Sequence, residues 1–228
     1  RQRDNDFFYQ AHHDELTRLP NRQYFTKHID DWFKSSQKPF AMFLINVDHF
    51  KLINDKYGNL SGDRVLQEVT TRLKKIECTN ELLIRYAGDE FILLTSVTDT
   101  SELHRKASII IKAIALPFKI GESELRLGCS LGIAKAPEHG ITLTLLLRSA
   151  NIAMYNSKKE GNTFNVFTFS MAQTYMGRLE IEERLRVAAE LECFYMVYQP
   201  QVDANHTLYG VEALVRWEDE KLGFVPPD

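Results

Sequence analysis

The chain has 228 residues, with 28 Lys+Arg against 31 Asp+Glu and a formal net charge of −3. Hydrophobic residues make up 44% and charged residues 26%, an ordinary globular composition that excludes disorder and fibrous architecture. The near-balanced charge argues against a nucleic-acid binder driven by net positive charge, leaving only a local basic patch, and no apolar run approaches the ~18 residues of a membrane span.

The length suits one full domain plus a part, or two small domains. The chain opens on Arg1 without a signal peptide, so a piece of a longer protein is expected. Cys78, Cys129 and Cys193 lie far apart with no CxxC spacing. They read as scattered thiols of a reducing cytosol, not as a disulfide framework or a zinc site.

Residues 1–15 are polar with the aromatics Phe7, Phe8 and Tyr9, and read as a helical lead-in forming a junction to an upstream segment. Leu19-Pro20-Asn21 opens a helix to about Ser36. Phe40 to Ile45 is a continuous apolar run, as in a strand buried on both faces. Ser61 is expected to cap the next helix, whose Val65, Leu66, Val69, Leu73 and Ile76 recur at helical spacing. Strands over Leu82–Tyr86 and Phe91–Thr95 flank a hairpin tip, Ala87-Gly88-Asp89-Glu90. Ser101 is expected to cap a helix ending before Pro117. The alternation Leu125, Leu127, Cys129, Leu131, Ile133 predicts a half-buried strand. A helix runs from about Thr142 to Gly161, and Phe164–Phe167 is a strand. The mixture with one tight hairpin predicts an α+β sheet covered by helices, ending near residue 168. Ser170 then caps a long helix to about Glu192, with Ile181, Leu185, Ala188 and Leu191 on one face. Strands follow near Phe194–Val202 and Leu208–Trp217, and there is no internal repeat.

The first strand ends at Asn46-Val47-Asp48, and the hairpin tip presents Asp89 and Glu90. Carboxylates brought together at such a point repel unless a cation sits among them, and oxygen donors of this kind suit Mg²⁺ with substrate phosphates. For an arbitrary hairpin, a solvated acidic turn is the better reading. The surrounding sequence decides otherwise. Asp14-Glu-Leu-Thr-Arg-Leu-Pro-Asn-Arg22, Asp48-His-Phe-Lys-Leu-Ile-Asn-Asp55, Gly58-Asn-Leu-Ser-Gly-Asp63, Arg85-Tyr-Ala-Gly-Asp-Glu-Phe91, Ser130-Leu-Gly-Ile-Ala134 and Ala153-Met-Tyr-Asn-Ser-Lys158 occur in order. Together they resemble the GGDEF family of diguanylate cyclases over about residues 10–168.

That resemblance implies a fold like the palm domain of nucleotide cyclases. It also implies a reaction in which two domains face each other with one GTP apiece. Each 3′-hydroxyl attacks the other's α-phosphate, giving cyclic di-GMP and pyrophosphate by positioning and metal-assisted charge stabilisation. By position, Asn54 and Asp63 would bond the guanine edge. Asp89 would be a metal ligand with Glu90 a second carboxylate beside it, Gly88 would lie at the nucleotide, and the Val47 carbonyl would reach the metal. The His49 and Phe50 N–H groups would cradle phosphate, and Lys158 would point at the triphosphate.

Four positions depart from the family pattern. Ala87 replaces the first motif glycine, a mild crowding. Asn46 stands where the first acid of Asp-x-Asp binds metal. Even discounted from the ~4 kcal/mol of a unit-charge pair at ~4 Å, the lost charge is worth roughly 2–3 kcal/mol, about 30- to 200-fold in turnover. Asn162 replaces an arginine that reaches the phosphates. Cys78 and Glu81 replace the Arg-x-x-Asp of the product-inhibition site, so feedback binding there is expected to be absent. The base-recognition residues are kept while the metal and phosphate contacts are thinned.

Tyr198-Gln-Pro-Gln-Val-Asp203, Gly210-Val-Glu-Ala-Leu-Val-Arg-Trp217 and Pro226-Pro-Asp228 resemble the opening of an EAL phosphodiesterase domain over about residues 178–228. By that resemblance Glu212 would bind a catalytic metal, and Gln199, Leu214 and Arg216 would contact cyclic di-GMP. A (β/α)8 barrel needs ~200–250 residues, so only its truncated start fits and no phosphodiesterase activity is expected of this fragment. Residues 194–228 are expected to be poorly ordered or held by contacts that a complete barrel would not make, partner exchange included. His12-His13 beside Asp14 reads as solvated helix residues, not a metal cluster. His49 reads as a turn residue whose backbone matters more than its ring.

The domain expectation is therefore a lead-in over 1–15, a GGDEF domain over 16–168, a linker helix over 169–193 and an EAL start over 194–228. The functional expectation is a cyclic di-GMP signalling module. It binds GTP with weak or no cyclase activity, holds Mg²⁺ or Mn²⁺ weakly or not at all, and regulates an attached EAL phosphodiesterase domain. The alternatives are an active diguanylate cyclase and a non-catalytic dimerisation or docking domain. Expected partners are GTP, cyclic di-GMP through a complete EAL domain, and a second copy as homodimer, with no nucleic acid and no membrane segment. The expected location is cytoplasmic, in a parent that upstream segments can anchor to a membrane.

Overall fold

A computed structural model describes residues 9–35, 39–121 and 123–227. The chain divides into two units, the first ending at Ala172 and the second starting at Gln173.

In the first unit, Asn21 opens helix α1 (Arg22–Ser35), its Oδ1 accepting the Tyr24 N–H at 3.0 Å. Strand β1 (Phe40–Val47) follows, then α2 (Phe50–Tyr57), α3 (Asn59–Ile76), β2 (Leu82–Ala87), β3 (Glu90–Thr95) and α4 (Thr100–Ile114). A short hairpin, β4 (Phe118–Ile120) and β5 (Ser123–Leu125), leads to β6 (Cys129–Ala136), α5 (Leu143–Glu160) and β7 (Phe164–Val166). The main sheet has the order β2-β3-β1-β6-β7. All its pairings are antiparallel except β6 with β7.

β1 is central, and all eight of its residues are buried. Period-2 alternation sends its side chains to two cores. Ala41, Phe43, Ile45 and Val47 pack with α3 and α4 residues such as Val69, Leu73, Leu103 and Ile110. Phe40, Met42 and Leu44 pack with Phe25 and Ile29 of α1 and Leu146, Ala150 and Met154 of α5. The α+β sheet covered by helices is therefore as expected.

Several local expectations need correction. Gly58, at φ 80°, joins α2 to α3, so α3 starts at Asn59 and Ser61 lies inside it. Asp99, not Ser101, caps α4, accepting the Glu102 N–H at 3.0 Å, because its carboxylate is the stronger acceptor. Thr142 and Gly161 bound α5 as expected. The alternating run from Leu125 to Ile133 is not one half-buried strand: Leu125 ends β5, and β6 is buried on both faces at Cys129–Ala134. α5 covers that second face, close enough that a Cβ on Gly132 would stand 1.9 Å from the Ala150 carbonyl oxygen. Cys129 is buried, while Cys78 and Cys193 are exposed free thiols.

At the start of the chain, Phe7 and Phe8 lie outside the described residues. Tyr9 stacks on His13 with ring centroids 3.9 Å apart. His12 is not solvated: it is 7% exposed, with its ring against the edge of Tyr24.

Helix α6 (Phe169–Glu190) begins one residue before Ser170, with the Thr168 hydroxyl accepting the Met171 N–H at 3.4 Å. Of the four residues expected to form its apolar face, Ala188 is buried, while Ile181, Leu185 and Leu191 are exposed, Leu191 lying past the helix end. In the second unit, β8 (Phe194–Val202) and β9 (Leu208–Asp219) pair antiparallel, and a third strand, β10 (Gly223–Val225), pairs with β9. Trp217 is buried and its ring meets that of Phe194, while two hydrogen bonds tie the Arg184 guanidinium to the Asp219 carboxylate. Among the described residues no helix is long and apolar enough to cross a membrane.

Candidate functional site

Antiparallel register brings the end of β1 against the start of β3, with Asn46 opposite Glu90. The Val47 N–H donates to the Asp89 carbonyl at 3.2 Å, which holds the hairpin tip at the strand end. The Asn46 side chain is buried there, and its Nδ2 donates to Asp89 Oδ2 at 3.2 Å. Burial raises the Glu90 carboxyl above its usual range, and the neighbouring Asp89 charge adds to this. Lys158, in the last turn of α5, opposes the shift. Asn46, Val47, Asp89 and Glu90, from two separate strands, are thus one neighbourhood.

The hairpin tip is pinned from outside. Gly88 turns at φ 46°, and its carbonyl accepts from Arg85 Nε and Nη2 at 3.0 and 2.8 Å. Arg85 Nη1 reaches Asp14 Oδ1 at 2.8 Å, and Asp14 also accepts from the Thr17 N–H and hydroxyl. Burial pushes the Asp14 carboxyl up, but the bonds from Thr17 and Arg85 outweigh it and hold the group below its ordinary value. Ala87 is exposed at this turn.

After β1, Asp48 is consumed by the fold. Ser130 Oγ donates to its Oδ1 at 2.7 Å and the Asn162 N–H to its Oδ2 at 2.9 Å. This clip closes the loop between α5 and β7 onto the strand end and leaves Asn162 exposed in the left-handed region, at φ 48°. His49 is also left-handed, at φ 58°, and Phe50 starts α2. An adjoining left- and right-handed pair turns successive N–H groups toward one point, the geometry of an anion nest.

A second group stands on α2 and α3. A Cβ on Gly62 would lie 1.9 Å from Asn54 Oδ1, so the glycine makes room for that amide. Asn54 Oδ1 is buried without a hydrogen-bond partner, and Asp63, half-buried, adjoins Gly62. A buried amide oxygen without a donor is costly unless a ligand supplies one.

In the second unit, Gln199 is opposite Glu212. Leu214 and Arg216 follow at steps of two, so all four lie on one face of the β8–β9 hairpin. Glu81 is buried against Lys106 at 2.6 Å, beside exposed Cys78.

Among the described residues no group of three or more His, Cys, Asp or Glu is arranged to hold a metal ion. Asp89 and Glu90 offer carboxylates, but the Asn46 amide turns a hydrogen toward Asp89. This donor set does not fit a resident divalent cation.

Asp48, Arg85 and Gly62 carry structural roles that sequence reasoning did not assign. Each stands in a quoted motif, but its partner is visible only in three dimensions.

The sequence model described as "Diguanylate cyclase, GGDEF domain" matches residues 11–163. Over 219 residues the chain is 37% identical to the cyclic di-GMP phosphodiesterase PdeR of Escherichia coli, covering 95% of this chain and 33% of that protein. It is 35% identical over 222 residues to the bifunctional diguanylate cyclase/cyclic di-GMP phosphodiesterase MucR of Pseudomonas aeruginosa, covering 95% and 32%. The chain thus spans about a third of the length of these curated relatives. Among solved structures, the GGDEF domain of TpbB (YfiN) from Pseudomonas aeruginosa superposes with a TM-score of 0.68 at 30% identity, covering 72% of this chain and 99% of that one. With the family model matched over most of the first unit and the sheet order, hairpin tip and strand end in place, this chain belongs to the GGDEF family.

Proposed function

We propose that this chain is a cyclic di-GMP signalling module whose GGDEF domain binds GTP and cyclises it weakly or not at all. It regulates an attached EAL phosphodiesterase domain of which residues 194–228 are the start. The observation that carries the reading is the orphaned Asn54 amide oxygen beside Gly62 and Asp63. It is a buried acceptor awaiting a donor, and the guanine edge offers N–H donors while Asp63 accepts from it. The left-handed turn at His49 supports a phosphate cradle, with Lys158 adding its ammonium. Asn46 in place of an acid and Asn162 in place of an arginine support weak turnover, since both remove charge from the ionic end of the ligand. Mg²⁺ or Mn²⁺, which would polarise the α-phosphate when bound, is held weakly or not at all. The names of the relatives and the single face shared by Gln199, Glu212, Leu214 and Arg216 support the EAL assignment. A cytoplasmic location and a homodimer belong to the same reading.

Calorimetric titration with GTP and with ATP tests it: GTP should bind and ATP should not. Absence of GTP binding at millimolar nucleotide would leave an empty docking domain instead. The second reading, an active cyclase, is favoured by the bifunctional relative. Incubation with GTP and Mg²⁺ or Mn²⁺, followed by assay of cyclic di-GMP, separates the two. Brisk turnover in the unaltered chain would replace the proposal, and the double change Asn46→Asp with Asn162→Arg should raise output.

A further inference from the structure

The contact between Asn46 and Asp89 bears on what the pocket needs in order to hold its ligand. A divalent ion at the end of β1 would need oxygen atoms turned toward it from every side. Here the Asn46 side chain is 6% exposed and places an amide N–H on Asp89 Oδ2 at 3.2 Å. Its dipole offsets part of the carboxylate's charge and turns a hydrogen atom, not an oxygen, toward it. The Asp48 carboxylate is instead turned to the loop between α5 and β7, its oxygens accepting from Ser130 and Asn162. The recognition end, with the orphaned Asn54 oxygen and the space left by Gly62, is built from α2 and α3 and does not involve this pair.

We infer that the site takes a guanine nucleotide without a divalent cation, the Asn46 amide standing on Asp89 in place of the ion. This rests on the nucleotide reading above and deepens it: the site is a cation-independent nucleotide sensor. The substitution Asn46→Asp would set two carboxylates against each other and introduce the need for a cation.

The test uses the full chain and two media, one with millimolar Mg²⁺ and one with excess EDTA. In the unaltered protein, GTP affinity by calorimetry should differ by less than about threefold between the two. The melting temperature without nucleotide should not move with Mg²⁺. In Asn46→Asp, GTP affinity should fall at least about tenfold in EDTA relative to Mg²⁺, and Mg²⁺ alone should raise the melting temperature. If the unaltered protein binds GTP in Mg²⁺ and loses tenfold or more, on the order of 1.4 kcal/mol, in EDTA, the cation-independence is wrong while the nucleotide reading stands. A saturable rise of its melting temperature with Mg²⁺ alone has the same meaning. If GTP binds in neither medium, the nucleotide reading itself fails. Should Asn46→Asp not fold, the two titrations of the unaltered protein decide the question alone.

Discussion

Gly62 and Arg85 show how single positions shape the candidate site without touching a ligand. A methyl at Gly62 would overlap Asn54 Oδ1 and drive the amide from its place. Overpacking of this kind costs about 1–3 kcal/mol, so Gly62→Ala should weaken GTP binding roughly tenfold in a titration while the far-UV spectrum stays unchanged. Arg85 bridges the Asp14 carboxylate and the Gly88 carbonyl with its side chain 13% exposed. Arg85→Ala should cost about 1.5–3 kcal/mol in urea unfolding, and amide exchange at Gly88 and Asp89 should speed up. The two carboxyls respond to pH in opposite senses. The folded pKa of Asp14 is depressed, so its contribution is full above the unfolded value and is lost as pH falls through the folded one. The folded pKa of Glu90 is raised, so stability declines as pH rises from its unfolded value through the folded one. Glu90→Gln should therefore raise the melting temperature at pH 7 and lose that gain below about pH 4. A lower melting temperature for Glu90→Gln at pH 7 would contradict this account.

At the scale of elements, two joints fix the frame around the site. Arg72 on α3 donates to the carbonyls of Ala113, Ile114, Leu116 and Pro117 at 2.6–3.2 Å and lies 3.9 Å over the Phe118 ring. A cation at the end of α4 satisfies carbonyls that the helix leaves unpaired and complements its dipole. Removing it strands several of them, so Arg72→Ala should cost roughly 3 kcal/mol in urea unfolding, and Arg72→Lys should restore only part of this, having no planar fork. Gly132 on β6 lets α5 lie directly on the sheet, with the Ala150 and Met154 backbone at the place a Cβ would occupy. Gly132→Ala should cost at least about 1–3 kcal/mol by the same measurement. Because α5 carries Lys158, such a shift should also weaken nucleotide binding.

At the scale of the whole molecule, the two units differ in how they bury apolar surface. Both hydrophobic clusters, with the residues packed against them, fall between Leu16 and Val166. In the second unit, Tyr195, Met196, Tyr198, Tyr209, Val211 and Phe224 are exposed, and the strands β8 and β9 bury only Trp217. A chain ending after Ala172 should therefore keep the melting temperature and GTP affinity of the first unit, the latter within about twofold. Loss of cooperative unfolding in that shortened chain would show that its core depends on residues beyond the break.

Most of the elements and the family were legible in the residues alone, while helix α2, the β4–β5 hairpin and β10 were not. The all-apolar run of β1, the helical spacing in α3, the start of α5 near Thr142, the glycine at 161 and the six motif blocks all report local or short-range preferences, which one strand or helix expresses on its own. Ser61, Ser101 and Ser170 do not cap their helices, because a neighbouring glycine, carboxylate or hydroxyl competes for the same helix end, and that contest is settled by fractions of a kilocalorie. The half-buried reading of β6 failed because alternation shows one buried face and says nothing of a helix laid on the other. Three-dimensional packing alone sets Asn46 against Asp89, Asp48 against Ser130 and Asn162, and Arg85 between Asp14 and the hairpin tip, and leaves Asn54 without a donor. Those pairings join residues up to 114 positions apart. They depend on strand register and helix placement, which are set by the packing of both cores at once and leave no trace in the spacing of any one segment.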